Sequence, residues 1–173
     1  FKNLISGILV LVEKRFKIGD WILVEDIIEG IVEKIGFRST VVRKFDKSIA
    51  IIPNFQFAEN AVINISQTTN WLISWIINLQ YDTTVDQLKT IRNEIEDYIK
   101  KNEDYKSDLG YAVRVDKFAD SSIDMYIRCF TKTDDWDEWL VVKEKLAIQI
   151  KQIVEKNGAS FAFPSQSIYV EKK

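Results

Sequence analysis

The residues of this chain that could do chemistry are few, and most are carboxylates. Asp134-Asp135-Trp136-Asp137-Glu138 is the densest acidic cluster. As a metal site it would need its carboxylates to converge in a cleft. The same acids suit the first turn of a helix, where the dipole favours negative charge, and that is the reading adopted here. Asp97, Glu103, Asp104 and Asp108 gather near the end of another expected helix and read as a solvated surface. The chain contains no histidine, which removes the commonest general base and the commonest metal ligand. Neither a Ser–His nor a Cys–His pair can form, and nothing singles out a Ser–Lys pair. Cys129 is the one cysteine, so there is no disulfide framework and no zinc set; it lies in an alternating apolar run and reads as a buried thiol. Gly30, Gly36 and Gly110 stand alone, without the spacing or the lysine of a phosphate-cradling loop. No catalytic residue, metal site or cofactor is expected.

The bulk numbers suit a soluble globular protein. Of 173 residues, 46% are apolar and 29% charged, and the formal net charge is −2. That balance argues against nucleic acid as a partner, which calls for a basic surplus. Nine basic and eight acidic residues precede Trp71, and fifteen and eighteen follow Asn70, so neither half is basic. No run reaches the ~18 to 20 apolar residues that span a bilayer as a helix. The chain opens at Phe1 rather than methionine, which reads as a fragment or a processed product.

The elements that position these residues fall into two rhythms. Phe1 to Val12 is apolar save for Lys2, Asn3 and Ser6, and Lys14, Arg15 and Lys17 follow it. It reads as a buried edge element or as the tail of a membrane-associated helix with its cations at the headgroup level. Five short strands follow. Gly19-Asp20 turns the chain into Trp21 to Val24, and Glu29-Gly30 marks a second turn before Ile31 to Ile35. Thr40 to Val42 lies in the third strand, Ser48 to Ile52 forms the fourth, which Pro53 stops, and Ala61 to Ile65 forms the fifth. Strands this short and closely spaced suggest a small barrel or sandwich.

Ser66 to Asn70 is five polar residues in a row and reads as a domain border. After it, Trp71, Ile73, Trp75, Ile77, Leu79 and Tyr81 alternate along a long strand. Thr84 and Gln87 make a capping-box pair before an amphipathic helix to Lys101. Strands around Val113 and Ile127 form a hairpin through Asp120-Ser121-Ser122. Asp135 and Glu138 cap a second helix, which ends near Lys156 and Gly158, and Ile168 to Val170 is a last strand. The order β-α-β-β-α-β is that of a ferredoxin-like sandwich. Core packing accounts for Trp21, Trp71, Trp75, Trp136 and Trp139 on these elements.

Several short motifs become specific when taken in order. They are Asn3 to Gly7, Phe16-Lys17-Ile18-Gly19-Asp20-Trp21-Ile22, Gly30 to Thr40 with Arg38-Ser39-Thr40 at its end, Ile51-Ile52-Pro53-Asn54 and Asn64-Ile65-Ser66, with Phe163-Pro164 near the end. The set resembles the small-conductance mechanosensitive channel family over nearly the whole chain. The resemblance implies a homo-heptameric channel of the cell membrane, with the bacterial inner membrane as its setting, that opens under bilayer tension. Residues 1–13, with Asn3 and Gly7, would match the second half of the pore helix as a short N-terminal helix. Residues 14–67 would form the collar, a five-stranded Sm-like β barrel. Residues 71–165 would form a ferredoxin-like α+β cage domain facing the cytoplasm, and 166–173 a strand leading to a lower barrel. Lys14, Arg15 and Lys17 would lie on the headgroup side, although the proline some members carry near there is missing. Gly19 and Gly30 would permit turns, Pro53 would end the fourth strand, and Asn54 would bond its own backbone. Arg38, Ser39 and Thr40 would tie strands or subunits together. The implied partners are further copies of the chain and, through the full-length protein, membrane lipid. An RNA-binding module with an Sm-like barrel is the alternative.

Overall fold

The chain divides between Thr68 and Thr69 into two units. The structure, a computed structural model, describes Glu13 and residues 15–164. Asn3, Gly7, Lys14 and the expected last strand lie outside the described residues. Among the described residues no helix is long and apolar enough to cross a membrane.

The first unit is a meander. Its strands are β1 (Trp21–Val24), β2 (Ile28–Ile35), β3 (Ser39–Arg43) and β4 (Ile49–Pro53), followed by a short helix α1 (Asn54–Glu59), β5 (Ile63–Asn64) and one 3-10 turn over Ile65–Gln67. All pairings are antiparallel, in the order β4-β3-β2-β1-β5. Alternation decides which face is buried. Ile22 and Val24 of β1, Ile28 and Val32 of β2 and Val42 of β3 point inward. They meet Phe57 of α1 and Phe16 of the entry segment, whose rings pack edge to face at 5.0 Å.

Four expectations change here. The sheet is open: among the described residues β4 and β5 are its two edges and do not pair with each other. β5 keeps only two residues, both on β1, before the 3-10 turn ends the ladder. Gly30 lies inside β2, paired with Ile22, and the turn falls earlier, at residues 25–27, with Asp26 at φ 59°. Pro53 is the last residue of β4, opposite Ser39, and needs no ladder donor on an edge strand. The six residues of α1, too short to show a period, follow it directly.

The second unit comprises β6 (Leu72–Leu79), α2 (Val85–Lys101), β7 (Ala112–Phe118), β8 (Ile123–Phe130) and α3 (Trp136–Lys156). The antiparallel sheet has the order β6-β8-β7. β6 and β8 pair without a break from Leu72 opposite Phe130 to Leu79 opposite Ile123. On the other edge of β6, Leu79 bridges to Phe161. Ile73, Met125, Ile127 and Cys129 from the sheet share one core with Ile91, Ile95 and Ile99 of α2 and Leu146, Ile150 and Val154 of α3. Both expected caps form. Thr84 Oγ1 accepts from Gln87 N while Gln87 Oε1 accepts from Thr84 N. Asp135 Oδ1 accepts from Glu138 N, and Gly158 closes α3 at φ 69°. A bulge between Val115 and Lys117 interrupts the ladder of β7 after Val115, which is exposed.

Candidate functional site

In the first unit, buried polar side chains join segments far apart in sequence at two places. The first begins at the entry turn. Gly19 takes φ 93°, a conformation that glycine adopts without strain, and its N–H donates to Val32 O at 2.8 Å. This places the Asp20 side chain inside, 4% exposed. Asp20 Oδ2 accepts from Lys17 N at 3.0 Å and from Asn64 Nδ2 at 2.7 Å. The Asp20 carbonyl accepts from Val32 N at 2.9 Å. One residue thus binds the incoming chain, β2 and β5. Trp21 extends the joint: its N–H donates to Ser66 Oγ at 2.8 Å, its indole N–H donates to Glu29, and its ring stands edge on against Phe45 at 4.9 Å.

The second clamp lies at the β2–β3 loop. Thr40 Oγ1 donates to Asn54 Oδ1 at 2.8 Å, and Asn54 Nδ2 donates to Gly36 O at 2.8 Å and Phe37 O at 3.3 Å. Asn54 N donates to Arg38 O at 3.0 Å. Asn54 and Thr40 are fully enclosed. Asn54 therefore bonds the neighbouring loop rather than its own backbone, because α1 starts at this residue and turns its side chain inward. Of the three residues 38–40, Thr40 makes the side-chain tie. Arg38 and Ser39 contribute backbone carbonyls, and the Arg38 side chain is exposed.

Gly30 serves close approach, not a turn. A Cβ there would stand 2.4 Å from Arg43 O and 2.9 Å from a methyl of Val42, so β3 lies against bare backbone. Arg43 itself forms a fork with Glu33 at 2.7 and 3.1 Å, and this bond holds the Glu33 carboxyl below its usual range. Of the three cations expected on the headgroup side, Arg15 is engaged by the protein. Its guanidinium donates to Glu13 at 2.5 Å and to the Phe57 carbonyl at 3.1 Å. Lys17 is exposed, and Lys14 lies outside the described residues.

The groups weighed for chemistry in the second unit are structural. Asp135 and Glu138 cap α3, with Glu138 Oε2 accepting from Thr133 Oγ1 at 2.6 Å. Asp97, Asp104 and Asp108 pair with Lys101, Lys145 and Lys106. Cys129 is buried, and burial pushes its thiol up to about 12. Among the described residues no three His, Cys, Asp or Glu groups are placed to hold a metal ion. Trp71, Trp136 and Trp139 pack on one another at 4.6 to 5.7 Å, and Lys143 sits 4.5 Å over the Trp139 ring. What the described residues of the first unit present is thus a hydrogen-bonded joint between segments distant in sequence. The long-range partners of Asp20 and Asn54, 44 and 14 residues away, carry no sequence signal of their own.

Comparison with known proteins agrees with this picture in both units. Residues 1–67 match the family model described as "Mechanosensitive ion channel, beta-domain", and residues 73–161 match "Mechanosensitive ion channel MscS, C-terminal". An uncharacterized MscS family protein of Aquifex aeolicus is 38% identical over 172 residues, covering 99% of this chain and 46% of the relative. The low conductance mechanosensitive channel YnaI of Escherichia coli is 36% identical, covering 98% of this chain and 49% of its own length. The chain thus spans about half the length of the curated relatives it matches. The closed-state crystal structure of Helicobacter pylori MscS superposes with a TM-score of 0.83 at 25% identity, over 99% of this chain and 66% of that one. Arabidopsis thaliana MSL1 shares the fold, with a TM-score of 0.87 at 23% identity over 94% of this chain and 58% of that one. With a family model matched in each unit, the chain belongs to the MscS family of mechanosensitive ion channels.

Proposed function

We propose that this chain is the collar and cage portion of a tension-gated channel, in which the first unit couples the cage to the pore helix. The observation that carries the reading is the Asp20 clamp, which fastens the incoming chain to both β2 and β5. A pull on the entry segment reaches the sheet through three hydrogen bonds rather than through a flexible linker. In this reading the full-length protein is a homo-heptamer of the cell membrane and releases ions and small solutes under osmotic shock. Residues 1–13 continue its pore helix, 14–67 form the collar, 71–165 the cytoplasmic cage, and 166–173 a strand shared below it. The first unit takes the Sm-like strand order as an open sheet that neighbouring copies complete, and the second takes the ferredoxin-like order with Phe161 starting its fourth edge. Asp20, Gly19, Gly30, Thr40 and Asn54 act as positioning residues, and no step of catalysis is assigned. The RNA-binding alternative gains nothing from the relatives, which are named as channels.

The test is tension-activated conductance of the full-length protein in membrane patches, together with its native mass. A heptamer that opens under suction is expected. Asp20→Ala is expected to raise the threshold tension or shorten openings while leaving unitary conductance unchanged. A full-length monomer, or a variant gating as the parent does, would overturn the assignment.

A further inference from the structure

The sheet of the first unit has two ends of different chemistry. At one end lie the entry turn Lys17-Ile18-Gly19, the loop Gly36-Phe37-Arg38 and the close of β4. The antiparallel pairings of β1 with β2 and of β3 with β4 bring them to the same end. Gly19 N bonded to Val32 O, and Asn54 N bonded to Arg38 O, fix both loops to the sheet. Ile18 is 62% exposed and Phe37 59%. Beside them stand the exposed cations Lys17 and Arg38, with Lys34 one step into β2. No ion pair engages these three cations among the described residues. The nearby acids are occupied: Asp20 is buried on Lys17 N and Asn64, and Glu33 is held by Arg43. The opposite end, turns 25–27 and 44–48, is of mixed charge: Glu25, Asp26 and Asp46 stand beside Lys44 and Lys47, with one internal Lys44–Asp46 pair, and its exposed Phe45 packs on the Trp21 ring.

We infer that the first of these ends docks on an anionic bilayer. Ile18 and Phe37 sit at the acyl boundary, and Lys17, Lys34 and Arg38 lie among the phosphates. A soluble anionic partner would account for the cations and leave Phe37 in water. A neutral apolar partner would account for Phe37 and leave three charges without counter-ions. A surface that is apolar beneath a layer of negative charge satisfies both. The chain also enters the unit at this end, from twelve residues of which only Lys2, Asn3 and Ser6 are strongly polar. The inference rests on the channel reading for the presence of a membrane, and it adds a surface to that reading. Three cations near such a surface favour anionic over neutral vesicles by on the order of 100-fold in partition.

The test is local, because residues 1–12 can bind lipid by themselves. The buried Cys129 thiol leaves an engineered cysteine as the reactive one. An environment-sensitive dye is placed on Phe37→Cys or, at the opposite end, on Glu25→Cys. Each labelled chain is titrated with phosphatidylglycerol–phosphatidylcholine vesicles and with phosphatidylcholine vesicles. The dye at position 37 is expected to shift to the blue with anionic vesicles at roughly 100-fold lower lipid than with neutral ones. Adding Lys17→Glu and Arg38→Glu should abolish that preference, and the dye at position 25 should stay in water throughout. Equal responses at positions 37 and 25, or no loss on charge reversal, would overturn the docking surface. A full-length heptamer that conducts under tension while its position-37 dye stays aqueous sinks this inference alone and leaves the channel reading standing.

Discussion

The two units are held together by different means. The second has the ordinary solution: one cluster of seventeen buried side chains, fed by the stripes of two capped helices and one face of a sheet. The first buries only seven apolar side chains in its cluster. Its order comes from elsewhere. Asp20, Thr40 and Asn54 are buried, and their side chains bind segments that apolar contact alone would hold loosely. A domain this small is marginal on area burial. A buried polar network specifies one arrangement where a small core would tolerate several, and in this one Asn64 Oδ1 is left without a partner among the described residues. The sheet edges differ in the same sense. β4 reads Ile-Ala-Ile-Ile-Pro without a charge, whereas β7 carries Arg114, Asp116 and Lys117 and a bulge, the usual guards against further pairing. β7 is thus guarded against further pairing, and β4 is not.

Leu146→Ala should produce the largest effect, and in the second unit only. Leu146 is fully buried on α3 in the main cluster, so its loss removes about 3 kcal/mol from that unit. Four of the five tryptophans, all but Trp21, report on it, so denaturant unfolding followed by fluorescence should shift by that amount. Amide exchange of β1 to β4 should stay as in the parent. Faster exchange in both units to a similar degree would mean that they unfold as one, and the contrast drawn above would fail.

Asn54→Ala comes next and strikes the first unit. It frees a buried Thr40 hydroxyl and the Gly36 carbonyl together, a loss of about 2 kcal/mol with no change in apolar area to explain it. Exchange should quicken in the β2–β3 loop and in α1, with the tryptophan transition of the second unit unmoved. If Asn54→Ala proved harmless while Val42→Ala unfolded the unit, the first unit would be core-driven after all.

What the sequence made legible follows the same division. Periodicity and caps are local, so α2, α3 and β6 to β8 can be read from Thr84, Gln87, Asp135 and the alternation from Ile73 to Leu79. The left-handed turn at Gly19 is local as well. The joint is not. Gly30 looks like any turn glycine until β3 is seen lying against it. Asn54 looks like a turn residue because its partners arrive from another hairpin. α1 has six residues and no side-chain cap, which leaves neither period nor signature to read. The motifs that resembled a family marked these positions without explaining them.

The finest distinction concerns Asp124, a buried polar anchor inside the second unit. It is buried on β8 and accepts from Ser122 Oγ at 2.7 Å and Asn78 Nδ2 at 2.6 Å, with Lys117 at 3.9 Å. The Ser122 hydroxyl first, then the Asn78 amide, hold its carboxyl below the ordinary range. A carboxyl lowered on folding adds stability above its unfolded value, about 3.9, and loses it as the pH falls from there through the folded value. The gap in unfolding midpoint between the parent and Asp124→Asn should therefore be constant from pH 7 to about 5 and close below about pH 4. If the large core makes the anchor dispensable, that gap is small at every pH and Asp124 only orients the β7–β8 hairpin. If the gap matches that of Asn54→Ala, polar anchoring is not special to the first unit. A gap that stays open and constant to pH 2.5 would show that the carboxylate charge has no part in the bond.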